Sequence, residues 1–426
     1  MMSCFQTFRA LATCIAAGSL VLLGSIAHAE GAARPVVGAQ PADVPNVPAL
    51  RIDDSISAAE MQDLRLVAEQ NGISLDEAIT RYAWNDNFAL VVDTMRRAHP
   101  ESFTSAEIVD AFHAWISFKG PAPDVGVVLD AFERTAPAVE VELRADEGYS
   151  ERELERSIEN VHYAIYGSPG VLQAATSFDA DTRTIVSTVV LADPQKVSLA
   201  LDLEEAAQGA LAAVSTGDSD IAAAVTITQG ATLGGDDSAG YHYGGEVLSG
   251  CTSGFGTRAS SATSGTRGVA TAGHCGNSQS DDGYALTYQG GHQGTYGDFQ
   301  WHTGGVAHAD DFYAGSATVT ETTLRDVSGI GAPTVGQTLC KNGATNHASC
   351  QEVRLLGDCR DSMCNLVQMG ARLAGPGDSG GPIYWGNTAY GLHSGWRYDP
   401  FAPFDRDQFA RADRIDDALG IYIATN

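Results

Sequence analysis

Three short segments, far apart in the chain, carry side chains suited to acyl transfer. The first is PGDSGGP, residues 376–382, which holds Ser379. A serine hydroxyl is a weak nucleophile near neutral pH, so it needs a general base, an acid that orients the base, and N–H donors for the oxyanion. Glycines on both sides let the backbone turn sharply and leave room for a carbonyl against the amides of Gly377 and Ser379. A Gly-rich structural turn is the plainer reading, but GDSGGP is far more specific than a lone GxSxG. The second segment, VATAGHCG, is a strand-like run that delivers His274 as the base, next to Cys275, whose disulfide would steady the imidazole. The third, TYGDFQWHT, supplies Asp298 as the orienting acid, with Tyr296, Phe299 and Trp301 as bulk that keeps water away. Asp281, Asp282, Asp310 and Asp311 lie in polar, loop-like runs and are weaker choices.

The elements that must position these residues divide by composition. At 426 residues the chain exceeds the usual size of a single core. Three hydroxyl-x-x-Glu capping boxes, at Ser57, Ser74 and Ser150, mark helix starts. The third opens a helix with Leu154, Ile158, Val161 and Ile165 on one face, between the strand-like VEVEL and TRTIVSTVVL, which reads as a strand-helix-strand unit. A weaker unit surrounds AWISFKG and DVGVVLDAF, so this region is expected to hold one or two small α+β modules. Residues 193–240 are rich in Ala, Gly, Thr and Asp and read as a processing linker. After Gly250 come short β-branched runs separated by Gly, Asn and Asp, an all-β barrel or sandwich, closed by a short helix in ARADRIDDALGIYI.

A formal net charge of -28 disfavours nucleic acid and anionic membrane as partners. Arg9 and an apolar run ending in Ala27-His28-Ala29 read as a signal peptide cleaved after Ala29, and no other segment is long and apolar enough to span a bilayer. Cys4 and Cys14 leave with that signal. The other six of the 8 cysteines, Cys251, Cys275, Cys340, Cys350, Cys359 and Cys364, form an even set in an exported chain, which favours disulfides over metal. No spacing suits zinc and no contiguous loop suits calcium, so neither metal nor cofactor is expected.

TAGHC, GDFQWH and GDSGGP stand in the order His, Asp, Ser. The chain from about Gly234 to Asn426 resembles the chymotrypsin-like serine proteases, in particular the secreted bacterial streptogrisin and α-lytic protease group. The resemblance implies an all-β double β-barrel with His274 as base and acid, Asp298 as its orienter, Ser379 as nucleophile, and Gly377 and Ser379 as the oxyanion hole. CKNGAT with Cys350 resembles the group's disulfide-bearing segment, implying the pairs Cys340–Cys350 and Cys251–Cys275, and leaving Cys359 with Cys364. The group's further disulfide beside the serine is missing, with Leu373 at its first position. An internal cation, here Lys341, would partner Asp378. The α+β region resembles the group's pro-regions, which act as intramolecular chaperones and inhibitors. Three segments follow: a signal peptide at 1–29, a pro-region at 30–231 and a protease domain at 232–426.

YGLHSGW resembles the strand that walls the primary pocket, which assigns Leu373, His393, Ser394, Gly395 and Trp396 to substrate binding, with Ser394 and Gly395 facing the substrate backbone. A histidine at position 393 can donate to an acidic side chain or simply wall an apolar pocket, while Trp396 narrows the pocket. Both preferences stay open. The expected protein is a secreted, monomeric serine endopeptidase acting on proteins or peptides. The alternative is a catalytically silent binding protein with the same fold; for the α+β region, the alternative is a substrate-binding or adhesive domain retained in the mature enzyme. Protein recovered from culture medium should have the mass of the C-terminal half and begin within Gln229 to Tyr241, as N-terminal sequencing would read.

Overall fold

The computed structural model describes residues 55–425 apart from 193–198, 215–220, 229–233, 236–246, 262, 282–283, 305–309, 315–323 and 400–403. The signal peptide and most of the 229–246 connection lie outside the described residues. Helix α1 (Ala58–Asn71) begins at Ser57 with a complete capping box, and α2 (Leu75–Tyr82) begins at Ser74, whose hydroxyl accepts from the Glu77 amide. Helix α3 (Asn85–Ala98) follows. It packs with α4 (Gly126–Glu133) on a sheet of β1 (Phe103–Ile108), β2 (His113–Phe118) and β3 (Glu140–Arg144) around Phe88, Phe103, Phe118 and Phe132. Strands β2 and β3 are parallel, so β2-α4-β3 is a strand-helix-strand crossover.

A second module holds α5 (Glu151–Tyr166), β4 (Val171–Asp179), β5 (Thr184–Leu191), α6 (Leu199–Val214) and β6 (Ala222–Thr228), with its own core of Ile158, Val161, Ile165 and Ile185. Strands β5 and β6 are parallel around α6. The expected unit linking VEVEL through α5 to TRTIVSTVVL is therefore corrected. VEVEL is β3 of the first sheet, TRTIVSTVVL is β5 of the second, and β4, weak in β-propensity through Ala174, Ala175 and Ser177, lies between. The linker reading of 193–240 is also corrected at its start. LALDLEEAAQGALAAV is a helix, because its Ala, Leu and Glu content favours one and Leu203, Ala207 and Leu211 recur every fourth residue into the core.

The C-terminal half is all-β and double-barrelled. Apart from β7 (Gly234–Gly235), its first sheet uses β8 (Gly256–Arg258), β9 (Arg267–Thr271), β10 (Thr287–Gly294) and β11 (Gly297–Thr303). Their order is β10-β11-β9-β8, with Tyr422–Ile423 added at the far edge. The second uses β12 (Thr338–Lys341), β13 (Ser349–Arg360), β14 (Met363–Met369), β15 (Pro382–Trp385), β16 (Thr388–Tyr398) and β17 (Asp405–Arg411). Their order β12-β15-β16-β17-β14-β13 closes on itself, since β13 also pairs with β12. The short closing helix is α7 (Ile415–Leu419). Cys251–Cys275, Cys340–Cys350 and Cys359–Cys364 are disulfide-bonded.

The α+β half is joined to the second barrel at several places. Strand β4 extends its sheet, pairing Thr176 with Cys359 and Ala175 with Arg360. Helix α1 buries Leu64, Val67 and Ala68 in a core shared with Leu339, Val353, Tyr384 and Trp385. Buried Asp63 takes a hydrogen bond from Arg325 at 2.9 Å and one from the Gly386 amide at 2.8 Å, while the Tyr390 hydroxyl donates to Asp86 of α3. Truncating Asp63 strands the Arg325 cation in a dry seam. In a full-length Ser379→Ala background, Asp63→Ala should cost about 3 kcal/mol of stability, read from the urea midpoint. An unshifted midpoint would remove this pair as an anchor.

Candidate active site

Strand β9 ends at Thr271, and the turn that follows carries His274 toward β11, where Asp298 is wholly buried. One carboxylate grips this residue twice. The His274 amide donates to Asp298 Oδ1 at 2.9 Å, and Nδ1 lies 2.6 Å from Oδ2. That contact assigns the proton to Nδ1 and leaves the Nε2 lone pair free to accept. Nε2 is 2.9 Å from Ser379 Oγ. Burial pushes the Asp298 carboxyl up, but His274, the Ser394 hydroxyl and the Arg360 charge outweigh it and hold the group below the usual carboxylate range. His274 meets Asp298 rather than Asp310, which is committed to Arg258 at 2.6 Å, or Asp281, which is buried in a separate short strand. Of the three aromatics expected to shield Asp298, Phe299 is fully buried and Trp301 packs against the core. Tyr296 is 36% exposed, so the shield is smaller than the sequence suggests.

Ser379 stands between two glycines with left-handed backbone, Gly377 at φ 99° and Gly380 at φ 86°. The Thr252 hydroxyl donates to the Gly377 carbonyl at 2.6 Å, and the Thr252 amide to the Ser379 carbonyl at 2.8 Å, fixing the peptide planes before Asp378 and after Ser379. The Gly380 amide donates to the His393 carbonyl at 2.7 Å, so the serine loop is sewn to β16.

Asp378 points inward. Lys341 Nζ lies 3.2 Å from its Oδ2, and the amides of Gly375, Thr345 and Asn346 donate to it at 2.9, 2.7 and 3.1 Å. Burial raises its pKa, but the Lys341 charge and these amides prevail and lower it overall. The glycine of CKNGAT is explained here, since a Cβ on Gly343 would collide with the Asp378 carboxyl.

The residues assigned to the pocket come together on β16 and the loop facing it. His393 and Ser394 are buried, and the register against β17 shifts between His393 and Gly395. The Ser394 hydroxyl donates to Asp298 Oδ2 at 2.7 Å. The amides of Leu373 and Ala374 donate to Asp407 at 2.8 and 3.1 Å, and the Arg372 guanidinium lies 4.2 Å from the Trp396 ring centre. Asp407, Arg360 and the buried Asp358–Arg397 ion pair escaped the sequence reading, because a charged residue in a β-strand looks solvated until its burial is known. Gly235 and Gly234 pair antiparallel with Trp396 and Arg397 along the same wall.

With the imidazole and its acid on the first barrel and the serine on the second, the C-terminal half has the chymotrypsin-like fold. No protein-family model and no curated protein matches the chain. Among solved structures it is similar to a glutamic-acid-specific serine protease at 23% identity and TM-score 0.34, over 42% of this chain and 98% of that one. It is similar to the chymotrypsin of Cellulomonas bogoriensis at 23% and 0.34, over 43% and 98%. Protease A of Thermobifida fusca matches at 22% and 0.34, over 43% and 98%.

The Asp378 pair makes a signed prediction. A carboxyl lowered in the folded state stabilises above its ordinary pKa, and that stability is lost as pH falls through the folded value. Replacing Lys341 by Met leaves a buried carboxylate without its cation, so the variant should lose about 3–5 kcal/mol at pH 7. The deficit should shrink on acidification, as Asp378 takes up a proton. Melting curves across pH and turnover at neutral pH check this; unchanged stability and turnover in Lys341→Met would discard the pair as a structural element.

Proposed function

We propose that this protein is a secreted serine endopeptidase made as a preproenzyme. The observation that carries the reading is the hydrogen-bonded line from Ser379 through His274 to a buried Asp298, with contacts of 2.9 and 2.6 Å joining segments far apart in sequence. Ser379 Oγ attacks the scissile carbonyl carbon while its proton passes to His274 Nε2. The amides of Gly377 and Ser379 receive the oxyanion. His274 then protonates the leaving amine, giving an acyl-enzyme, and a water deprotonated by His274 hydrolyses it. Asp298 stays ionised throughout and stabilises the imidazolium, in keeping with its lowered pKa.

Residues 30–231 are read as a pro-region that assists folding and inhibits. Two features support this. Strand β4 and helix α1 complete the sheet and core of the second barrel, so they template it. Gly234–Gly235 lie on β16 as an added strand, the way an extended substrate would, and so obstruct it until the connection is cut. Three disulfides fit an extracellular protein. His393 and Trp396 in the wall suit an acidic or an apolar residue before the scissile bond, and cleavage after Lys or Arg in a peptide library would contradict both.

The test is a fluorophosphonate probe on the secreted protein, with the adduct located by mass spectrometry. An adduct on Ser379, absent in Ser379→Ala, is expected, on a fragment that has lost residues 30–231. A processed fragment that takes no label would reveal a binding protein with this fold instead.

A further inference from the structure

We propose that Arg360 is a positioning residue for this hydrolysis: its guanidinium fixes the strand on which the substrate backbone is laid. The inference rests on the protease reading above. Arg360 is the last residue of β13, and two strands, β14 and β17, separate β13 from the wall strand β16 in the barrel. Its side chain nevertheless reaches that wall. Nη1 donates to the Trp396 carbonyl at 2.8 Å, and Nη2 lies 3.4 Å from the Ser394 carbonyl. The side chain is 1% exposed, so the contact is not an incidental surface one.

The wall needs such a donor. Its register with β17 slips between His393 and Gly395, and Gly395 has φ 138°, so the ladder is irregular where Ser394 sits. Buried carbonyls at an irregularity must find donors elsewhere, and a planar guanidinium can serve two at once with charge-assisted bonds. Ser394 is then held at both ends, its carbonyl by Arg360 and its hydroxyl by donation to Asp298.

A second contact from the same hairpin strengthens the case. Asp358, two residues before Arg360, pairs with Arg397 and is itself fixed by Gln368 and Gln408. Residues 358 and 360 together tie down residues 394–397. Trp396 and Arg397 are where Gly235 and Gly234 of this chain already pair, which identifies this edge as one that accepts an extended peptide. The hairpin tip is in turn gripped by the Cys359–Cys364 disulfide and by β4, whose Ala175 pairs with Arg360.

The test uses Arg360→Met and Arg360→Lys, expressed as full-length precursors and assayed as secreted. Two readouts separate positioning from general support: kcat and KM on an extended peptide anilide, and the rate at which a small fluorophosphonate labels Ser379, which does not need the wall. For Arg360→Met a KM raised at least about tenfold is expected, with kcat and labelling within about threefold of wild type. Arg360→Lys, able to reach one carbonyl, should fall between, and it decides the matter if the Met variant is not secreted. A wild-type KM in either variant overturns the proposal, as does loss of peptide turnover and labelling in parallel without recovery by Lys. A wild-type protein that neither labels at Ser379 nor cuts peptides would sink the protease reading itself, an outcome seen before any variant is made.

Discussion

The site depends on one buried carboxylate. Asp298 accepts from the amide and ring of His274 and from the Ser394 hydroxyl, so three segments distant in sequence converge on two oxygens. An isolated carboxylate in such a place would take up a proton and lose its purpose, because desolvation alone raises its pKa. The donors reverse that, and the need to supply them constrains the surroundings: β9 must end where it does, β16 must bend at Gly395, and Phe299 must be large and buried. The second barrel repeats the arrangement at Asp378, where a lysine and three amides hold an acid whose backbone neighbours carry Ser379.

Both barrels therefore spend buried polar groups on orientation, and the α+β half follows the same practice at the seam. Asp63 against Arg325 and Asp86 against Tyr390 are polar contacts set in apolar packing. Such pairs add little net stability over apolar residues of the same size, but they penalise any other register heavily, since a shifted helix leaves charges unpaired in the dry interface. On the proposed reading of this half as a folding template, register matters more than affinity. Antiparallel barrels are rich in non-local pairings, whose loop-closure entropy must be met before the contacts form. On that reading, a preformed β4 edge and an α1 face would reduce that search.

What the sequence made legible follows from the range of each signal. Local signals worked: the capping boxes at Ser57, Ser74 and Ser150 begin helices, and the ARADRIDDALGIYI helix closes the chain. The site segments were readable because TAGHC and GDSGGP are rare strings, and the structure brings His274, Asp298 and Ser379 within hydrogen-bond reach. Pairing of strands was not readable. VEVEL and TRTIVSTVVL flank one helix yet belong to different sheets, because a parallel crossover through α4 claims β3 first. Composition misled where Ala-rich sequence passed for a linker, although Leu203, Ala207 and Leu211 carried a helical spacing. Arg360 and Asp407 were illegible in principle: nothing in GDCRDSMC or FDRDQFAR separates a buried charge from a solvated one, and most of their hydrogen-bond partners are backbone groups.

The placement of two disulfides becomes intelligible in the same terms. Strand β13 is touched by the α+β half at both ends: Gln70 of α1 accepts from the Cys350 amide at 2.8 Å, and β4 pairs with Cys359 and Arg360. Those ends are also where Cys340–Cys350 and Cys359–Cys364 lie. If the α+β half is removed as proposed, the barrel loses hydrogen-bond partners at these two points and exposes a strand edge. Covalent links there restrict what the freed edges can do, because each ties β13 to a neighbour that stays, β12 at one end and β14 at the other. The third disulfide, Cys251–Cys275, lies in the first barrel beside His274 and holds the turn that presents the imidazole. On the proposed reading, two of the three bonds would thus guard the surface that the removed α+β half leaves behind, and one holds the turn that presents the imidazole.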